Sequence, residues 1–206
     1  MVWVGKKLNS GDNAQEALIA LVGALEARDN FSKDHSLRVS GLAVRLAKLF
    51  KLDEQLISTI GNAGLLHDIG MVSVPDAILL KPGSFTQAER EVIRGAPVVA
   101  AKILEPIKSL KEERLMVLHH GERWDGTGYP DGLKQEALPL GARFIAVAEA
   151  IDAMTRNRAY RKARPISYCL EQLEENAGTQ FDPKIAKVAI AALAKGLIRK
   201  NSESNK

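Results

Sequence analysis

Residues 67–84 read HDIGMVSVPDAILLKPGS, and residues 121–139 read GERWDGTGYPDGLKQEALP. Both stretches are rich in Gly, Pro and Asp, and they break a chain that is otherwise patterned as helix. Upstream, Asp12–Ala27 places Ala17, Leu18, Leu21 and Leu25 at helical spacing behind Asp12 or Asn13 as N-cap. Lys33–Phe50 repeats the pattern with Leu37, Leu42, Ala43, Leu46, Ala47 and Phe50. Asp53 caps a third run, Leu56, Ile57, Ile60, Ala63, Gly64 and Leu66, which leads into His67. Between the two loops, Thr86 and Glu89 have capping-box spacing, which predicts a helix from Gln87. Further helices are predicted over Pro97–Leu104, Lys111–His120, Gly141–Thr155, Ser167–Asn176 and Pro183–Leu193. The last has Asp182 as N-cap and Pro183 at the first helical position. Met71–Pro75 is a short apolar run that reads as extended. With no period-two alternation and no strand–helix–strand unit elsewhere, the class is all-α. Loops as long as 121–139 are more often functional than filler.

Composition fits that reading. At ~150 residues per domain, 206 residues make one domain with short appendages. We divide the chain into a tail or linker over 1–13, one domain over 14–198 and a flexible polar tail over 199–206. Hydrophobic residues at 46% and charged residues at 26% exclude wholesale disorder, and aromatics at 5% leave the core to aliphatic side chains. The single cysteine, Cys169, excludes an internal disulfide framework and a Cys-rich zinc module, and reads as a buried thiol. No apolar run approaches the ~18 residues of a membrane span, since Lys187 and Lys195 interrupt Ala186–Ile198. The first residues, MVWVGKKLNSG, lack the apolar centre of a signal peptide. A cytoplasmic location without membrane contact is therefore expected. The balance of 29 Lys+Arg against 25 Asp+Glu leaves only +4, so nucleic acid is not an expected partner.

The chemistry concentrates beside the loops. An isolated His67-Asp68 pair reads as easily as an aspartate serving a helix end. The whole set reads differently. His35, His67, His119 and His120 all fall at helix starts or ends, and Glu149 and Asp152 share a helix face at i and i+3. Imidazoles with carboxylates point to divalent-metal binding. Arg156, Arg158, Arg161, Lys162 and Arg164 form a basic cluster. It suits either a solvated helix C-terminus or phosphate.

HDIGMVSVPDAILLKPG and ERWDGTGYPDGL resemble the two hallmark segments of HD-GYP domains. Arg28-Asp29, His35-Ser36-Leu37-Arg38-Val39, Ile151-Asp152-Ala153-Met154-Thr155, Arg158-Ala159-Tyr160-Arg161 and Phe181-Asp182-Pro183 also match, in order. The resemblance implies an all-helical HD-superfamily domain with long Gly/Pro-rich active-site loops. It further implies a cyclic di-GMP phosphodiesterase with a two- or three-metal centre of iron or manganese.

Carried over residue by residue, the resemblance makes His35, His67 and Asp68 metal ligands, with Asp68 bridging and catalytic. Glu149 stands where the family has the aspartate that completes the first site. The second site keeps Asp68 and His120. Its other positions fall on Ala96, in EREVIRGAPVVAAKIL, and on Gly121 if the His-His pair is counted back from Glu122. A one-residue insertion would instead make His119-His120 the pair; segment length favours substitution. The family lysine after His-Asp-Ile-Gly is Met71, and the extra carboxylate of three-metal members is Phe31. Tyr129, Arg158 and Arg161 match substrate-contacting residues. Gly128-Tyr129-Pro130 matches a loop also associated with GGDEF-type and other signalling proteins.

Two readings follow. One is a degenerate module with one ion or none, binding cyclic di-GMP or a related nucleotide, or a protein partner, with weak or no hydrolysis. The other is an active phosphodiesterase with an atypical one- or two-metal site.

Overall fold

The structure, a computed structural model, describes residues 19–20, 22–28, 34–156 and 163–198. The expected N-cap at Asp12 or Asn13, the tails over 1–13 and 199–206, and Arg158 and Arg161 lie outside the described residues. After a helical stretch over 22–26 come α1 (His35–Leu49), α2 (Glu54–Leu66), α3 (Asp76–Leu79), α4 (Gln87–Arg94) and α5 (Ala96–Leu104). They are followed by α6 (Lys111–Leu118), α7 (Leu140–Thr155), α8 (Ile166–Glu175) and α9 (Pro183–Ala194). Among the described residues there is no strand, and one isolated bridge joins Ala177 to Phe181. The fold is all-α, and no described helix is long and apolar enough to cross a membrane.

The caps read from the sequence are in place. The Asp53 side chain accepts from the Leu56 amide at 2.9 Å, and Thr86 with Glu89 forms a reciprocal capping box. Asp182 accepts from the amides of Lys184 and Ile185.

α7 is the central element. It packs against α1, α2, α6, α8 and α9. Its residues Ala142, Phe144, Ile145, Val147, Ala148 and Ile151 are buried, on a helix apolar nearly all round, as a central helix must be. Phe144 meets Phe50 of the α1 C-terminus edge to face, ring centroids 5.4 Å apart. Cys169 is fully buried in this core, and burial pushes its thiol up to about 11, which makes it inert.

One local expectation fails. Met71–Pro75 is not extended: Ile69–Ser73 forms a 3-10 turn and α3 follows. The apolar run has no strand to pair with. Its carbonyls are taken instead by Arg28, which donates to Met71 O at 3.2 Å and Val74 O at 2.8 Å and also grips Asp76. α5 packs tightly on this turn, because a side chain at Gly70 would overlap the Ala96 carbonyl.

The 121–139 loop is pinned from several sides. Trp124 and Asp125 donate backbone N–H groups to the carbonyls of Gln180 and Thr179, at 3.2 and 2.8 Å. Buried Glu122 accepts from the amides of Asp131 and Gly132 at 2.7 and 2.9 Å. Arg143 reaches from α7 to Leu138 O and Glu136 O and pairs with Asp182 at 3.2 Å. Trp124 is half-buried, with the Arg143 guanidinium carbon 5.4 Å from its ring centroid, and lies outside the buried core.

Asp182 therefore caps α9 and neutralises an Arg143 side chain that is only 11% exposed. We expect Asp182→Ala to lower unfolding stability by about 3 kcal/mol, because it strands that cation as well as the cap. Asp182→Asn, which keeps the cap acceptor, should cost less. Urea denaturation midpoints check the ranking; equal losses would mean that the charge contributes nothing.

Candidate metal centre

α2 ends at Leu66, so His67 occupies the C-cap and Asp68 the turn beyond it. His35 opens α1, and His120 lies two residues past α6. These three helix ends bring their imidazoles to one place. One ligand atom from each of His35, His67 and Asp68 lies within 4.8 Å of the others. Asp68 Oδ2 is 3.4 Å from His67 Nε2 and 3.7 Å from His35 Nε2. The His67 ring stands 5.3 Å from His35 and 5.2 Å from His120, so the three rings form a file.

Each ring is tethered through the same atom. His67 Nδ1 donates to Gly64 O at 2.8 Å, and His120 Nδ1 donates to Val117 O at 2.7 Å. In both, a histidine just past a helix end satisfies a carbonyl three residues back that the helix leaves open. His35 Nδ1 bonds Asp152 Oδ2 at 2.9 Å. With Nδ1–H donated, each ring presents a lone pair at Nε2, the tautomer a metal ligand needs. His67 is 1% exposed and its Nε2 is buried without a partner. A buried nitrogen so oriented is costly unless a cation or donor meets it. The residues fit a divalent ion.

The electrostatics agree. Burial pushes the His67 pKa down, which keeps that ring neutral near pH 7. Burial also acts downward on His35, but the Asp152 hydrogen bond and the charges of Asp68 and Glu149 leave its pKa raised above 6.5. Asp152 is 4% exposed, and burial opposes its ionisation. Its bonds to His35 and to Arg38, whose Nε lies 2.7 Å from Oδ1, outweigh that and bring it down to about 2. Asp152 is thus the carboxylate that orients His35. Glu149, half-buried on the same helix, acts through its charge on His35, His67 and Tyr129 without joining the 4.8 Å group.

The adjacent histidines separate. His120 lies beside His67, whereas His119 Nδ1 is 3.8 Å from both Glu122 and Asp131. The next residue is Gly121, and a Cβ there would lie 2.5 Å from Tyr129 Cε2, so the tyrosine ring occupies the room a side chain would need. Tyr129 N also donates to Gly121 O at 3.2 Å. Its hydroxyl is pushed up to about 12 by burial and by the charges of Glu149 and Asp68. Ala96 is buried at the first position of α5. Gly128 and Pro130 flank Tyr129 in the same half-buried loop. Arg158 and Arg161 lie outside the described residues. Sequence reasoning gave Arg38 no role at the site, although its spacing of i+3 from His35 puts both on one helix face.

This arrangement has a family. The sequence profile described as HD domain matches residues 20–185, and the chain belongs to that family, as the HD-GYP resemblance implied. One relative is the cyclic di-GMP phosphodiesterase response regulator RpfG of Xanthomonas campestris pv. campestris. It is 37% identical over 175 residues, 84% of this chain and 46% of that protein. A cyclic di-GMP phosphodiesterase of Pseudomonas aeruginosa is 39% identical over 178 residues, 86% of this chain and 42% of that one. The chain thus spans less than half the length of these two curated relatives. Among solved structures, an HDG"Y"P protein from Bdellovibrio bacteriovorus superposes with a TM-score of 0.67 at 20% identity, covering 90% of this chain and 64% of its own.

Because Asp152 fixes the His35 ring, Asp152→Asn should weaken binding of an added divalent ion by about 10–100-fold while the chain stays folded. The raised His35 pKa adds a direction: proton competition makes ion uptake fall as pH drops through a value above 6.5. In the metal-free chain the protonated pair stabilises the fold fully below the unfolded value, and this is lost as pH rises through the folded one. Ion titrations of both proteins at pH 6 and pH 8 check this. Equal affinities for wild type and variant would remove Asp152 from the account.

Proposed function

We propose that this chain is a degenerate HD-GYP domain that binds cyclic di-GMP or a related cyclic dinucleotide at a one-metal site, with weak or no hydrolysis. It would act as a ligand-binding module in cyclic di-GMP signalling in the cytoplasm. The observation that carries the reading is the Tyr129 ring lying against Gly121, which leaves no room for a side chain where the resemblance puts a second-site ligand. Ala96 supplies no ligand atom and Met71 no charge, so two more stabilisers of a phosphodiester are missing. Loss of one such group typically costs on the order of 10²–10³ in rate.

His35, His67 and Asp68 would hold the ion, iron or manganese, with His120 and Glu149 beside them. Asp68 is the catalytic candidate wherever hydrolysis survives. A bound divalent ion supplies Lewis acidity toward a phosphodiester oxygen. Tyr129 keeps its proton at neutral pH, so its hydroxyl can donate to a phosphate oxygen. Arg158 and Arg161 complete the substrate side on sequence grounds alone. The inward seat of Tyr129 on Gly121 favours a nucleotide over a GGDEF-type or other signalling protein as the partner of Gly128-Tyr129-Pro130.

The second reading, an active phosphodiesterase, is favoured by one observation. Asp68 Oδ2 already lies between the Nε2 atoms of His35 and His67, with the His120 ring next to His67. The names of the relatives point the same way.

Titration calorimetry with cyclic di-GMP, paired with a product assay on protein loaded with iron or manganese without oxygen, separates the readings. We expect saturable binding, with product release slower than in the Xanthomonas relative by on the order of 100-fold or more. Comparable turnover would establish the active enzyme, and absence of binding would end the ligand-binding reading.

A further inference from the structure

Arg94 has no role in the readings above. It is the last residue of α4, and its guanidinium carbon lies 5.6 Å from the centroid of the Tyr129 ring, within cation–π range. The Cδ2–Cε2–Cζ edge of that ring lies against Gly121. Tyr129 is therefore fixed along one edge and carries a cation on its face. Its hydroxyl is close enough to Glu149 and Asp68 to feel both carboxylates. The guanidinium thus lies over the ring whose hydroxyl senses both carboxylates.

Arg94 also pairs with Glu91, one turn back on α4, at 3.1 Å. That pair is open to water, with side chains 47% and 56% exposed, and exposed i,i+3 pairs of this kind are weak. The guanidinium can exchange Glu91 for a ligand anion without unfolding anything. A phosphodiester is such an anion, and the planar fork of arginine matches its oxygens two at a time. The cation–π contact with Tyr129 holds the guanidinium in place before the ligand arrives. A ligand bearing two phosphodiester charges must also approach the Asp68 and Glu149 carboxylates. A cation beside them, in addition to the ion, offsets that repulsion.

We propose that Arg94 is a substrate-binding residue, which receives a phosphodiester of the cyclic dinucleotide on the Tyr129 face. This rests on the cyclic-dinucleotide reading of the site. A phosphate-binding cation, in addition to Arg158 and Arg161, then comes from α4 and not from the turn that carries Met71.

The test is cyclic di-GMP titration of the metal-loaded full chain at low and at high salt, for wild type, Arg94→Ala, Arg94→Lys and Glu91→Gln. Arg94→Ala should weaken binding by on the order of 10–100-fold, the worth of one charged hydrogen-bonding group. It should also flatten the salt dependence and leave bound-ion content and thermal midpoint unchanged. Arg94→Lys should recover only part of the affinity, and Glu91→Gln should tighten binding. Wild-type binding with unchanged affinity and salt dependence in Arg94→Ala overturns this inference and leaves the reading of the site intact. No binding by the wild type overturns both. A variant that binds weakly but has also lost its ion shows that Arg94 serves the metal group, and likewise overturns the direct contact.

Discussion

The site is organised by what happens at the Nδ1 atoms of three imidazoles. A histidine with both nitrogens uncommitted can flip, change tautomer or pick up a proton. Here His67 and His120 are held by the carbonyls of Gly64 and Val117, and His35 is held by Asp152. The first two tethers come almost without cost, because a helix C-terminus leaves carbonyls open and the next side chain can reach back to one. The third is built differently. It joins α1 to α7 through a buried carboxylate, and a buried carboxylate needs charged partners of its own, which is why Arg38 grips Asp152 from the same helix as His35. Helix packing and ligand chemistry are thus one constraint. The packing of α1 and α2 on α7 places the Nε2 lone pairs of His35 and His67 beside Asp68, with the His120 ring next to His67.

A second constraint decides how much chemistry the centre can support. Tyr129 lies where a side chain at 121 would go, so glycine at that position and the inward tyrosine depend on each other. The same ring carries Arg94 on its face. In the function proposed above, ligand loss and cation placement follow from one packing choice, and both would move the site from cutting a phosphodiester toward holding one. The loop that presents Tyr129 is fixed by Glu122, by Arg143 and by the 179–180 backbone. The ring is therefore part of the frame.

Much of this was legible before any coordinates. Asp53, the Thr86–Glu89 pair and Asp182-Pro183 announce three helix starts through local chemistry, and all three helices begin there. His35, His67 and Asp68 were legible because their residue types and flanking segments repeat a known pattern. What escaped depends on partners far along the chain. Met71–Pro75 looks extended because it is short and apolar, yet its carbonyls are taken by Arg28, more than forty residues upstream. Asp152 looks like a ligand until Arg38 and His35 are seen to occupy both its oxygens. Arg94 lies thirty-five residues from the ring it stacks on, and nothing local marks it.

In the proposed function one ion fits this centre, and Tyr129 on Gly121 excludes a second. Bound metal per chain, measured by elemental analysis on protein purified without oxygen and offered iron, manganese, nickel and zinc, tests it most directly. One tightly held ion is expected, retained by wild type and by Tyr129→Phe alike, because the ring and not the hydroxyl fills the space. Two or more tightly held ions in the wild-type chain would contradict it.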